Sequence, residues 1–180
     1  KIALMFDMVR MSVELQSSIN KLRDMQTPNG AFPWFKGGPE DRYITQYIIT
    51  GIGHLRKLKA IPASLEESLS GIMTAGVSYA DKKLQQVYDE SKKRNKTEDP
   101  GLSYIEIQYL YMRSFFKDID VPGTTFRAYS YYRKESQSEW VKRSRYMQGM
   151  IALSLFKTGD IQTAKNIVAS LKENAIVNEE

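Results

Sequence analysis

The sequence has no cysteine and a single histidine, His54, among its 180 residues. The first absence excludes disulfides, thiolate nucleophiles and zinc–thiolate sites within the chain. The second excludes a multi-histidine metal centre and leaves one imidazole for proton transfer near neutral pH. His54 lies inside a helical pattern after Gly51 and Gly53, and we expect a helix histidine hydrogen-bonded at a packing edge rather than a general base. No apolar run approaches the roughly 20 residues that span a bilayer. The N-terminal KIALMFDMVRM carries Asp7 where a signal peptide would be apolar. No direct membrane insertion is expected.

Phosphate-binding loops of the GxxxxGKS or GxGxxG type are also missing, since GIG at Gly51 to Gly53 has no strand before it. Each of the two helical glycines costs roughly 1 kcal/mol against alanine, and close approach of a neighbouring helix is the expected offset. Carboxylates pair at Glu40-Asp41, Glu66-Glu67, Glu98-Asp99 and Glu179-Glu180, at helix starts, in a loop or at the chain end. There they favour helix dipoles or face water, and none builds the DDxxD-like cluster that holds magnesium and a diphosphate. We expect no metal, no cofactor and no catalytic residue.

What is present is apolar and helical. Hydrophobic residues make up 42% of the chain, without low-complexity tracts, which suits one globular domain. Lys and Arg number 26 against 21 Asp and Glu, a mild +5, and the densest basic cluster, SKKRNK at Ser91 to Lys96, reads as a solvated loop. No nucleic-acid partner is expected. The chain starts without Met and directly in a helical pattern, so we expect an excised piece of a longer protein.

Apolar spacing of three and four predicts about seven antiparallel helices, an all-α fold. The first covers Ile2 to Gln26, with Phe6, Val9, Val13, Leu22 and Met25 near one stripe. The second starts after Pro39 with Asp41 as N-cap, turns Ile44, Ile48, Ile52, Leu55 and Leu58 to the core, and stops at Pro62. The third opens on a capping box at Ser64 to Glu67 and carries Leu65, Leu69, Ile72, Met73, Gly76, Ala80, Leu84 and Val87 on one face. A second box at Ser103 to Glu106 opens a fourth helix, which ends near Asp118 to Gly123. A fifth covers Thr125 to Lys134, a sixth runs from about Glu139 to Gly159, and Asp160 caps a seventh. Short connections point to a helical array or toroid of hairpins. The last hairpin, ALSLFKTGDIQTAKNIVASL, also has the small-residue and turn pattern of tetratricopeptide units, which any close antiparallel pair shares.

The segment MQTPNGAFPWFKGG, Met25 to Gly38, is the most distinctive. Pro28 ends the first helix, Asn29-Gly30 can supply positive φ, Phe32, Trp34 and Phe35 are expected to plug one end of the helical barrel, and Gly37-Gly38-Pro39 reverses the chain. Gln26, Asn29, Gly30, Phe32 and Trp34 resemble the Gln-x-x-(Asp/Asn)-Gly-(Gly/Ala)-(Phe/Trp) turn of the α/α-toroid superfamily. The continuation GGPEDRYITQYIITGIGHL, with Gly37, Gly38, Tyr43, Thr45 and Tyr47, is similar to the thioester-type domain of bacterial alpha-2-macroglobulins, especially the large ones of Bacteroidetes-like bacteria. The closing ALSLFKTGDIQTAKNIVASL matches a late helix pair of those domains, whereas Leu84 to Arg145 is least diagnostic.

The resemblance implies an incomplete α6/α6-like toroid, a non-enzymatic role for these residues, and a periplasmic or cell-envelope location. It also implies other domains of the same parent chain as partners, with attacking proteases as the parent's targets. The family's Cys-Gly-Glu-Gln-like thioester cannot be carried over to any residue here, since it would precede Lys1 and the chain has no cysteine. Two other readings stay open at this point. One is a toroid enzyme acting on an isoprenoid or polysaccharide, which needs an acid at the floor of an aromatic cavity. The other is a helical-repeat scaffold that binds a peptide on its concave side.

Overall fold

The structure is a computed structural model that describes residues 2–94 and 101–175, with side chains from residue 9 onward. It is all-α apart from one minimal hairpin. The elements are α1 (Ile2–Met25), β1 (Phe32–Pro33), β2 (Glu40–Asp41), α2 (Arg42–Lys57), α3 (Ala63–Arg94), α4 (Tyr104–Arg113), α5 (Gly123–Glu139), a 3-10 turn (Trp140–Lys142), α6 (Arg145–Lys157) and α7 (Ile161–Glu173). Seven α-helices are thus present among the described residues, as the periodicity predicts. The chain divides into two compact units, Lys1–Tyr79 and Ala80–Glu180, with the division falling inside α3.

In the first unit, Ile19, Phe32, Ile49, Ile52, Leu69, Ile72 and Val77 are buried together with Ala31 and Tyr79. The α2 stripe differs from the expected one. Leu55 and Leu58 are exposed, Ile44 and Ile48 are only partly covered, and the buried face is Thr45, Gln46, Ile49, Ile52 and Gly53. The helix is therefore rotated by about one position, or roughly 100°. Two polar side chains occupy the inner face because each has a hydrogen-bond partner there.

On α1 the expected stripe is also displaced. Val9 and Val13 are exposed while Ile19 is buried, and the side chain of Phe6 lies outside the described residues. Gly51 is exposed and a Cβ there would meet nothing within 4 Å, so no helix approaches it. The glycine that permits close approach is Gly76 of α3, where a Cβ would run into the Ile49 side chain of α2. His54 is exposed in the last turn of α2.

Helix α3 opens one residue before the expected box, which puts Ser64 inside the first turn rather than at the N-cap; the Leu65 amide donates to the Pro62 carbonyl at 2.9 Å. Its far end also outruns the expectation. Ser91 to Arg94 of the basic cluster form the last turn, where cations complement the helix dipole, and Asn95 and Lys96 lie outside the described residues.

In the second unit, α4 packs on α6 and α6 on α7. Ile107, Tyr109, Leu110, Met112, Phe116, Tyr132, Ile151, Leu155 and Ile167 fill the core, and Ser154 Oγ donates to the Leu110 carbonyl at 3.0 Å. Tyr88, not Val87, is the buried residue near the end of α3, and it packs against Tyr131 and Tyr132 at centroid distances of 5.3 and 6.2 Å. Helix α5 is longer than expected, running to Glu139 before the 3-10 turn. The sixth helix starts only at Arg145, because Ser144 caps it by accepting the Met147 amide at 3.4 Å.

The Ser103 capping box is present as predicted. Ser103 Oγ accepts the Ile105 amide at 3.2 Å, and buried Glu106 accepts the Ser103 amide at 3.2 Å. Ser103→Ala removes the cap and takes one partner from Glu106, so chemical denaturation should show a loss of about 1–2 kcal/mol.

Candidate functional site

The distinctive segment after α1 folds into a brace between α1, α2 and α3 of the first unit. Thr27 to Gly30 form a turn closed by the Gly30 amide on the Thr27 carbonyl at 2.9 Å, with Pro28 and Gly30 at the positions a type I turn favours. Gly30 has φ of +93°, and a Cβ there would collide with the backbone carbonyl of Ala75 in α3. Only glycine combines that dihedral with that approach. Gln26 seals the junction: its Nε2 donates to the Gly30 carbonyl and to the Ile72 carbonyl of α3, both at 3.0 Å.

The chain then enters β1, where Phe32 is fully buried and pairs with Asp41 of β2, and Pro33 with Glu40. Thr45 of α2 ties the hairpin down. Its Oγ1 accepts the Phe32 amide at 2.8 Å and donates to the Asp41 carbonyl at 2.7 Å, which satisfies a buried amide that the two-residue strand pairing would otherwise leave open.

Asp41 is the expected N-cap of α2, accepting the Ile44 amide at 2.8 Å. Its second carboxylate oxygen accepts the Trp34 indole N–H at 3.1 Å. Trp34 and Phe35 do not plug a core: they are 62% and 65% exposed. Trp34 instead stacks on Tyr43, and Tyr43 on exposed Tyr47, each at 6.2 Å with ring planes within 24° and 23° of parallel. The indole N–H needs a polar partner, and the capping carboxylate at the surface supplies it.

The ten singled-out positions therefore separate by depth. Gln26, Gly30, Phe32 and Thr45 form the inner knot, Trp34, Tyr43 and Tyr47 form an outer aromatic ladder, and Asn29 sits exposed at the turn, bonded to Thr27. Gly37, with φ of +82°, and Gly38, whose amide donates to the Phe35 carbonyl at 2.9 Å, return the chain to β2. The arrangement positions backbone and rings. Nothing in it pairs a nucleophile with a base.

A buried polar cluster in the second unit has no counterpart in the sequence reading. Asp81 of α3, 1% exposed, accepts Tyr109 O–H at 2.6 Å, Arg113 Nε at 3.1 Å and Arg113 Nη2 at 3.3 Å. The remaining guanidinium hydrogens reach the carbonyls of Phe116, Ile119 and Asp120 at 2.8, 2.7 and 2.8 Å, which closes the segment after α4. Burial pushes the Asp81 carboxyl above its usual range, although Tyr109 and Arg113 pull it down. Burial, then the neighbouring Asp81 charge, pushes the Tyr109 phenol well up. With Asp81, Tyr109 and Arg113 all sealed from solvent, the cluster is a structural clamp rather than a reaction centre. The only sequence signal for it is an acid directly after Ala80 in the apolar face of α3.

No family model, curated protein or solved structure matches the chain.

Three stability outcomes follow from this geometry. Gly30→Ala meets both the dihedral penalty and the Ala75 carbonyl and should cost about 3 kcal/mol or more, whereas Gly37→Ala, with open space at its Cβ, should cost about 1 kcal/mol. Urea unfolding of the two variants side by side checks the contrast. Asp81→Ala strands the Arg113 guanidinium in the core and should cost about 3–5 kcal/mol. Because folding raises the Asp81 pKa, its contribution is fully present below the unfolded value near 3.8 and is lost as pH rises through the folded value. Stability measured against Asp81→Asn across the acid range should therefore decline with rising pH and then level off.

Proposed function

We propose that the chain is a non-catalytic helical domain, of α/α-toroid type, from a bacterial alpha-2-macroglobulin-like protein whose parent traps attacking proteases at the cell envelope. The observation that carries this reading is the brace. The residues that bear the resemblance, Gln26, Gly30, Phe32 and Thr45, converge on one buried junction through the Gln26 bonds to Gly30 and Ile72 and the Thr45 bonds to Phe32 and Asp41. A turn whose side chains are committed to holding three helices suits a domain that presents surfaces to the rest of a large protein. On this reading the parent's reactive chemistry, including any thioester, belongs to residues outside this chain. Its partners are the other domains of the parent and, through them, the captured protease.

The test uses the longer protein that carries this chain. Brief exposure to a broad-specificity protease should change its size or shape on native electrophoresis, with the protease co-migrating. The retained protease should still cleave small peptide substrates while losing activity on large proteins. Cleavage with no change in hydrodynamic size and with the protease released free would sink the trapping role.

A further inference from the structure

The α6–α7 hairpin carries an open groove of about 590 Å³ that the brace and the polar clamp do not use. Leu153 and Phe156 of α6 face Val168 and Leu171 of α7 across it, above a floor of buried Ala152 and Ala164. Leu153, Phe156 and Val168 remain 49%, 58% and 42% exposed, so the unit leaves three large apolar side chains against water along one cleft. The spacing is that of a helix seat. Positions 149, 152, 153 and 156 on one wall and 164, 168 and 171 on the other repeat at three, four and seven residues, and small residues let a third backbone lie close. Each wall helix has 13 residues, about 20 Å, which fits three to four turns of a ligand helix.

The charge at the groove has one sign. Lys165 and Lys172 line it, seven residues and so two turns apart on the same side of α7, and among the described residues no carboxylate lines it. Asp160, at the start of α7, caps the helix through the Thr163 amide and accepts Gln137 Nε2 at 2.7 Å, and Glu173 is not among the lining residues. A second copy seated with α7 over α7 would bring the two pairs of lysines together, which disfavours that form of self-association.

We propose that this groove docks an amphipathic helix of a partner polypeptide, one whose apolar ridge is flanked by carboxylates two turns apart that meet Lys165 and Lys172. Neither the groove nor its charge depends on the protease-trap reading. The apolar ridge supplies the affinity, and the lysines set charge preference and orientation.

Two fluorescein-labelled peptides of about 15–18 residues test it. Both carry leucine at helical three-four spacing; one has glutamate flanks and the other lysine flanks. Fluorescence anisotropy with the full chain should show saturable binding of the glutamate peptide, at least about ten-fold tighter than the lysine peptide. Amide shifts in the chain should be confined to residues 149–172. The double variant Lys165→Glu, Lys172→Glu should reverse the preference, and Phe156→Asp should abolish binding of both; all three positions are exposed, so unchanged circular dichroism melts will separate lost binding from lost fold. No saturable binding of the glutamate peptide, or equal binding of both peptides, overturns the proposal. So does concentration-dependent dimerisation that protects residues 149–172, which would make a second copy the occupant.

Discussion

The first unit depends on one close approach, that of the Gly30 backbone to the Ala75 carbonyl in α3. With no room for a side chain, the turn lies directly on the helix, and its carbonyl comes within reach of the same Gln26 amide that bonds Ile72. That contact places Ala31 and Phe32 in the core and delivers the Phe32 amide to Thr45. The inward rotation of α2 follows from the same anchoring. Its inner face is chosen by where Thr45 must stand, and the aliphatic side chains of Leu55 and Leu58 are left outside as a result. A second close approach, Gly76 against Ile49, brings α2 onto α3.

The second unit solves a different problem in a different way. The segment from Phe116 to Asp120 leaves α4 with carbonyls that no helix satisfies, and one guanidinium collects three of them. A cation placed there must be neutralised, and Asp81 does so from α3 while Tyr109 completes its hydrogen bonding. Burial penalises that carboxylate, as its raised pKa shows, so the cluster's value lies in the geometry it imposes more than in net stabilisation.

Much of the secondary structure was legible because its signals are local. The Ser103 box, the Asp41 and Asp160 caps and the Gly159 stop, with φ of +97°, each involve residues within a few positions of one another. The seven helices followed from periodicity. The failures share a cause: they turn on partners distant in sequence. Thr45 looks like a surface residue until Phe32, 13 positions away, is in place, and Asp81 and Arg113 are 32 positions apart. Trp34 and Phe35 fail in the opposite direction, because large aromatic rings were expected inside, whereas the indole is held at the surface by a capping carboxylate. Of the singled-out turn, the buried half was readable from the glycine and glutamine grammar. The full aromatic ladder was not: Tyr43 and Tyr47 are four apart on α2, but the stack of Trp34 on Tyr43 leaves no trace in spacing alone.

The division into two compact units gives the two tryptophans a use. Trp34 belongs to the first unit and Trp140 to the second. Replacing either one leaves a single indole whose emission follows the loosening of its own unit. The chain thus contains a separate optical reporter for each half, and the two signals together distinguish one cooperative melt from two.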